Sequence, residues 1–201
     1  MTVIFSCTKP GDELPYYNTA TLTPLWADET SVRTDTLHTV ADFSFTDQDG
    51  NTVSRDSFKG KIYVANFFFT ICPNICPKLT ANLKMVADEF YGDDRVKFIS
   101  HSVTPGIDSV ARLKKYSEEY HIDSRQWHLV TGNKQDIYRL ARQSYFAETE
   151  QELQPKKSDF LHTEHFVLVD ADGHVRGIYK GTLAPEMHRL KDDINVLLRR
   201  S

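Results

Sequence analysis

Between Lys61 and Thr70 the chain reads KIYVANFFFT, a nearly continuous apolar run of strand length. A strand with one wet face alternates apolar and polar residues. A run without alternation, rich in β-branched and aromatic side chains, belongs inside a sheet that is covered on both faces. The rest of the chain supplies the covering layers. Leu79, Leu83, Val86 and Phe90 recur at spacings of four, three and four, the stripe of an amphipathic helix that ends at Gly92. RVKFISHSV reads as the next strand, and Asp108 as the cap of a helix carrying Val110, Leu113 and Tyr120. WHLVT is a short strand, and Ile137, Leu140, Ala141 and Tyr145 mark a further helix.

Hairpins bracket this alternation. ADFSFT alternates Phe43 and Phe45, DQDGN turns at Gly50, TVSRDSF returns, and Gly60 ends the unit. HFVLVDADGHVRGIYKG folds back at Asp172-Gly173. The last helix carries Pro185 in its first turn and Met187, Leu190, Ile194 and Leu197 on its inner face. The order hairpin, β, α, β, α, β, α, ββ, α predicts an α/β protein. Its expected architecture is a thioredoxin-like fold with an N-terminal β-hairpin and extra hairpin and helix elements.

The 201 residues suit one domain with an appendage. Residues 1–37 are read as an N-terminal tether, with Pro10, Pro15 and Pro24 and no sustained period, and residues 38–201 as the folded domain. Tyr16, Tyr17 and Trp26 are the side chains expected to hold the tether against the domain. A net charge of −4 argues against a nucleic-acid partner, and no apolar run approaches the ~20 residues of a membrane span.

Only three cysteines occur, at Cys7, Cys72 and Cys76, so the chain is no disulfide scaffold. Cys72 and Cys76 lie in FFFTICPNICPK, read as the close of the apolar strand followed by a helix start, with Pro77 in the first helical turn. Unpaired amides and the positive end of a helix dipole favour thiolates there. Such thiolates can ligate a soft metal, attack a disulfide, or join each other in one.

A structural zinc site needs four Cys or His ligands, and one CxxxC pair is half of that. The P-x-x-x-T-x-x-C context of a peroxiredoxin is missing, as are the CxxC of a thioredoxin-type reductase and the proline that would face it. Where that proline would stand the chain has FLHTEHF. Two thiolates and one imidazole suit copper, since thiolate favours Cu(I) and imidazole serves either oxidation state. His162 and His165 are three residues apart, so in an extended segment at most one faces the cysteines, and parity does not choose between them.

FFFTICPNICP followed by FLHTEHFVLVDADGHVRGIYKG resembles the Sco/SenC family of copper-binding, thioredoxin-like proteins involved in cytochrome c oxidase assembly. The likeness runs from about His38 to the C-terminus, through FSFTDQDG, SVTPGIDSVARLKKYS and LVTG. It implies that Cys72, Cys76 and His162 are the copper ligands, whereas His165 matches no family ligand. Many relatives carry an aspartate directly before the ligand histidine. Leu161 stands there in this chain, and Asp159 is the nearest carboxylate.

The resemblance implies a metallochaperone for the CuA centre of the oxidase, with the copper-bearing subunit or another copper chaperone as partner. The same sulfurs also suit a thiol-disulfide oxidoreductase that reduces oxidase cysteines, or a redox or copper sensor. MTVIFSC is similar to the end of a bacterial lipoprotein signal. Acylation at Cys7 and a membrane-anchored, extracytoplasmic protein on the periplasmic face are therefore expected.

Overall fold

The computed structural model describes residues 13–26, 36–147 and 163–200. A short ladder comes first, β1 (Tyr16–Tyr17) against β2 (Pro24–Leu25). The domain then runs β3 (Ser44–Asp47), β4 (Thr52–Ser54), β5 (Ile62–Phe68), α1 (Ile75–Glu89), β6 (Val96–Ser102), α2 (Val110–Glu119), β7 (Trp127–Thr131) and α3 (Lys134–Gln143). It closes with β8 (His165–Val169), β9 (Val175–Lys180) and α4 (Ala184–Leu198). This is the predicted order. The main sheet has seven strands in the order β4-β3-β7-β6-β5-β8-β9.

β5 pairs in parallel with β6, and β6 with β7, while the hairpins at both sides add antiparallel strands. The β5-α1-β6 and β6-α2-β7 crossovers step in the same direction, and right-handed parallel crossovers of that kind leave their helices on one face. α1 and α2 accordingly share a core with Ile62, Val64, Phe98 and Leu168, which α4, after the last strand, also joins. α3 packs Ile137, Leu140 and Ala141 against Tyr63, Ala65, Ile99 and Val167. Every residue of β5 is buried, as its unbroken apolar run requires.

Leu79, Leu83, Val86 and Phe90 all lie in that first core, and each fully buried aliphatic side chain contributes about 1.5–3 kcal/mol. Gly50 at φ +82° and Gly173 at φ +92° make the two tight turns in the left-handed region, which a side chain would strain. The helix after β6 is not capped by Asp108. Ser109 takes that place, its side chain accepting from the Arg112 N–H, because the Asp108 carboxylate is fully buried beneath the cysteine segment.

The described part of the N-terminal segment is held by an arginine. The Arg176 guanidinium donates to the carbonyls of Leu14 (2.6 Å) and Pro15 (3.1 Å) and lies 3.7 Å from the centre of the Tyr16 ring. Asp170 neutralises it at 2.9 Å. Tyr17 packs on the α3-side core, whereas Trp26 is 64% exposed and joins neither core among the described residues. A two-residue strand ending at Leu25 leaves its indole beyond the last pairing.

Candidate thiol and metal site

β5 ends at Phe68, four residues before Cys72 rather than at it, and the chain turns through Phe69–Asn74 into α1. Cys76 is the second residue of the helix, and Cys72 lies just outside the helix start. Both are free thiols and nearly covered, Cys72 at 9% exposure and Cys76 at 3%. The Cys76 N–H, one of the helix's unpaired amides, donates to the Cys72 sulfur at 3.3 Å.

The surroundings treat the two sulfurs differently. Burial works against a Cys72 thiolate, but the N–H groups of Cys76, Asn74 and Ile75 and the Cys76 thiol outweigh it. The Cys72 thiol is therefore held below its usual value. Burial pushes the Cys76 thiol up to about 12, assisted by the Cys72 sulfur and the charge of Asp108 and opposed by the Phe69 backbone. The resting pair is one thiolate-prone sulfur beside one that keeps its proton.

β8 pairs antiparallel with β5, Ala65 opposite Val167, so β8 starts at the carboxyl end of β5, where the cysteine segment begins. Between them opens a cleft of about 420 Å³, lined by Phe67, Phe69, Cys76, Thr163, His165 and Lys180 among others. His165 thus stands on the wall of the cleft that holds Cys76, a position its lack of a family counterpart did not foretell. Glu164 is beside it, paired with Lys180 at 2.8 Å and accepting from the Thr182 hydroxyl at 2.6 Å. Burial raises its carboxyl, but Lys180 and Thr182 more than compensate and hold it below its usual value.

His162, Asp159 and Leu161 lie outside the described residues, as does Cys7. Among the described residues no group of three or more His, Cys, Asp or Glu stands close enough to hold a metal ion. Three other histidines work within the fold. His38 bonds the Ser144 carbonyl, His174 the His38 carbonyl and His128 the Asp47 carboxylate.

One buried carboxylate beneath the thiols escaped the sequence reading. Asp108, 0% exposed, accepts from the Thr70 N–H (3.3 Å) and hydroxyl (2.5 Å) and from the hydroxyls of Ser102 (2.6 Å) and Thr104 (3.0 Å). The signal was present in SVTPGID, where two hydroxyl residues precede an acid at short range. A capping role explained that acid equally well.

Residues 31–198 match the family model described as SCO1/SenC. The chain belongs to the SCO1/SenC family. It is similar to the SCO1 protein homolog of Bacillus subtilis, 35% identical over 145 residues, 71% of this chain and 74% of that one. Protein sco1 of Schizosaccharomyces pombe is 32% identical over 139 residues, and the match spans about half (51%) of its length.

Among solved structures, a SCO1/SenC family lipoprotein from Bacillus anthracis superposes with a TM-score of 0.70 at 29% identity, over 80% of this chain and 95% of that one. BsSco, a Sco family cytochrome c oxidase assembly protein in which a disulfide switch is identified, gives 0.67 at 31% identity over 80% and 93%. Bradyrhizobium japonicum ScoI with copper bound gives 0.60 at 25% identity over 79% and 99%. The thioredoxin-like architecture expected from the element order is the one these Sco structures share.

Proposed function

We propose that this SCO1/SenC protein binds copper and serves the assembly of cytochrome c oxidase, with Cys72, Cys76 and His162 as ligands of one copper ion. The observation that carries the reading is the cysteine pair at the α1 N-terminus, where the Cys76 N–H donates to the Cys72 sulfur and the Cys72 thiol is thiolate-prone. Two soft donors brought to one helix start suit Cu(I). Thr163, the chain neighbour of His162, lines the cleft that Cys76 also lines, which supports His162 as the third ligand. The relatives supply the biology, since one is a cytochrome c oxidase assembly protein and one was solved with copper bound.

The same two sulfurs support a second role. The asymmetry between Cys72 and Cys76 favours it, because the thiolate-prone sulfur attacks and the other resolves. Cys72 attacks a partner disulfide and releases one partner thiol. Cys76 gives up its proton and attacks the mixed disulfide, releasing the second. Two electrons and two protons pass to the partner, and Cys72 and Cys76 end joined. The proposed partner is the copper-bearing subunit of the oxidase, in keeping with the relatives' part in its assembly. An acyl chain on Cys7 would hold the protein at the extracytoplasmic membrane face, as in a lipoprotein relative.

Metal analysis of the reduced protein tests the copper reading. Wild type should hold about one copper per chain, Cys72→Ala should lose it, and zinc should bind poorly to so small a soft donor set. His162→Ala should keep much of its Cu(I) and lose the thiolate-to-copper absorption of the Cu(II) form, whereas His165→Ala keeps both. Stoichiometric zinc binding that survives loss of His162 would refute the ligand set. An essential His165 beside a dispensable His162 would move the third ligand to the cleft wall.

A further inference from the structure

We propose that Asp108 is a positioning residue for the Cys72–Cys76 pair, its carboxylate clamping the turn that presents Cys72. This rests on the reading of the pair as a dithiol that cycles with a disulfide. The carboxylate receives four hydrogen bonds and touches no cation among them. Two come from Thr70, two residues before Cys72, and two from Ser102 and Thr104, at and just after the end of β6. Asp108 therefore joins the start of the cysteine turn to the central sheet. The Cys72 N–H bond to the Phe69 carbonyl at 3.3 Å completes that turn.

Beyond Phe69, which packs on the core, and the N–H groups that bond the Cys72 sulfur, the turn's side chains add little. Ile71, between Thr70 and Cys72, is 52% exposed and anchors nothing, and Pro73 and Asn74 are exposed as well. Asn74 at the helix start makes no side-chain cap. Holding Thr70 thus holds the Cys72 sulfur against Cys76, where it already lies in the dithiol. A chelating or disulfide-forming pair gains from such pre-arrangement, because the entropy of bringing the sulfurs together is lost on folding rather than on reaction.

The test is the equilibrium of the purified protein with glutathione. The dithiol passes two electrons and two protons to one oxidised glutathione and becomes the Cys72–Cys76 disulfide, with two reduced glutathiones formed. Thiol alkylation and mass spectrometry read the ratio without any metal. Thr70→Val keeps the β-branched shape and removes one donor. Asp108→Asn keeps the volume and sets an NH₂ group against the Thr70 N–H or the hydroxyls. Each should shift the equilibrium about three- to tenfold toward the dithiol, the worth of one hydrogen bond.

Tyr179→Phe removes a part-buried hydroxyl bond, to Asp193, that does not touch the clamp. It should lower the urea midpoint as Thr70→Val does, yet leave the glutathione equilibrium within about twofold of wild type. Should all three variants shift that equilibrium together, none shift it, or Thr70→Val move it toward the disulfide, Asp108 is no positioning residue. A wild-type protein that forms no Cys72–Cys76 disulfide would instead overturn the redox pair itself, an outcome separate from any effect of Thr70 or Asp108.

Discussion

Acidification should destabilise this protein through one histidine far below the surface. His101 on β6 is 0% exposed, and among the described residues neither of its ring nitrogens has a hydrogen-bond partner. Phe67 stacks on it at 5.2 Å, and Phe43, Phe45 and Tyr145 enclose it at 5.8, 5.5 and 5.6 Å. Nothing in this aromatic box stabilises a cation by hydrogen bonding, and burial drives the imidazole pKa down to about 3. The unfolded chain titrates near the ordinary value of about 6.5. Between those two values the unfolded state holds the extra proton, so folding stability is full above about pH 6.5 and is lost as pH falls toward 3.

Linkage gives about 2 kcal/mol lost at pH 5 and about 5 kcal/mol once both states are protonated, since each pH unit between the two pKa values costs about 1.4 kcal/mol. Measured against a typical total of about 5–15 kcal/mol, that is a large fraction. Urea unfolding followed by the fluorescence of buried Trp127, at pH 7.5, 6.5, 5.5 and 5.0, measures it. His101→Leu, close in volume and without polar atoms, should match or exceed wild type at pH 7.5, since it removes two unpaired buried nitrogens. It should also lose about 2 kcal/mol less than wild type on going to pH 5.0. Carboxylates contribute equally to both proteins and cancel in the difference. Parallel pH profiles for the two proteins would refute the reasoning and mean that His101 is hydrated or otherwise partnered.

Other outcomes follow from the same geometry. At pH 8 iodoacetamide should modify Cys72 at least about tenfold faster than Cys76, because only the former thiol is lowered and it lies nearer the surface; equal rates by mass spectrometry would contradict the assigned asymmetry. Arg176→Met leaves Asp170 buried without its cation and frees the Leu14 and Pro15 carbonyls. It should therefore cost about 3–5 kcal/mol in urea unfolding, and a loss below about 1 kcal/mol would show that the pair is dispensable. Wild-type protein exported in a bacterium should sediment with membranes and Cys7→Ser should not, with a soluble wild type counting against acylation.

Much of the scaffold was legible because its signals are local. The unbroken run of β5, the four-three-four stripe of α1, the Gly50 and Gly173 turns and Pro185 at the head of α4 each report the conformation of their own few residues. The two cysteines were legible for the same reason, since their four-residue spacing and flanking prolines lie within one strand-to-helix junction. Trp26 shows where such reasoning stops. An aromatic side chain in a polar segment invites a docking role, but exposure depends on where the neighbouring strand ends.

What only the tertiary structure decided is which distant residues share the space around those sulfurs. The antiparallel pairing of β8 with β5 joins segments about 100 positions apart and sets Thr163 and His165 in the Cys76 cleft. The turn after β6 folds Asp108 under Thr70, 38 residues away, where its carboxylate serves the cysteine turn instead of a helix end. His101 is sealed by aromatic residues from β3 and the residue before it, from β5 and from the chain after α3. Local propensity and hydrophobic period act over one or two turns of chain and determine the elements. The ionisation of a buried carboxylate, thiol or imidazole depends on the solvent it has lost and the donors it has gained, and those are set by pairings across the whole sheet.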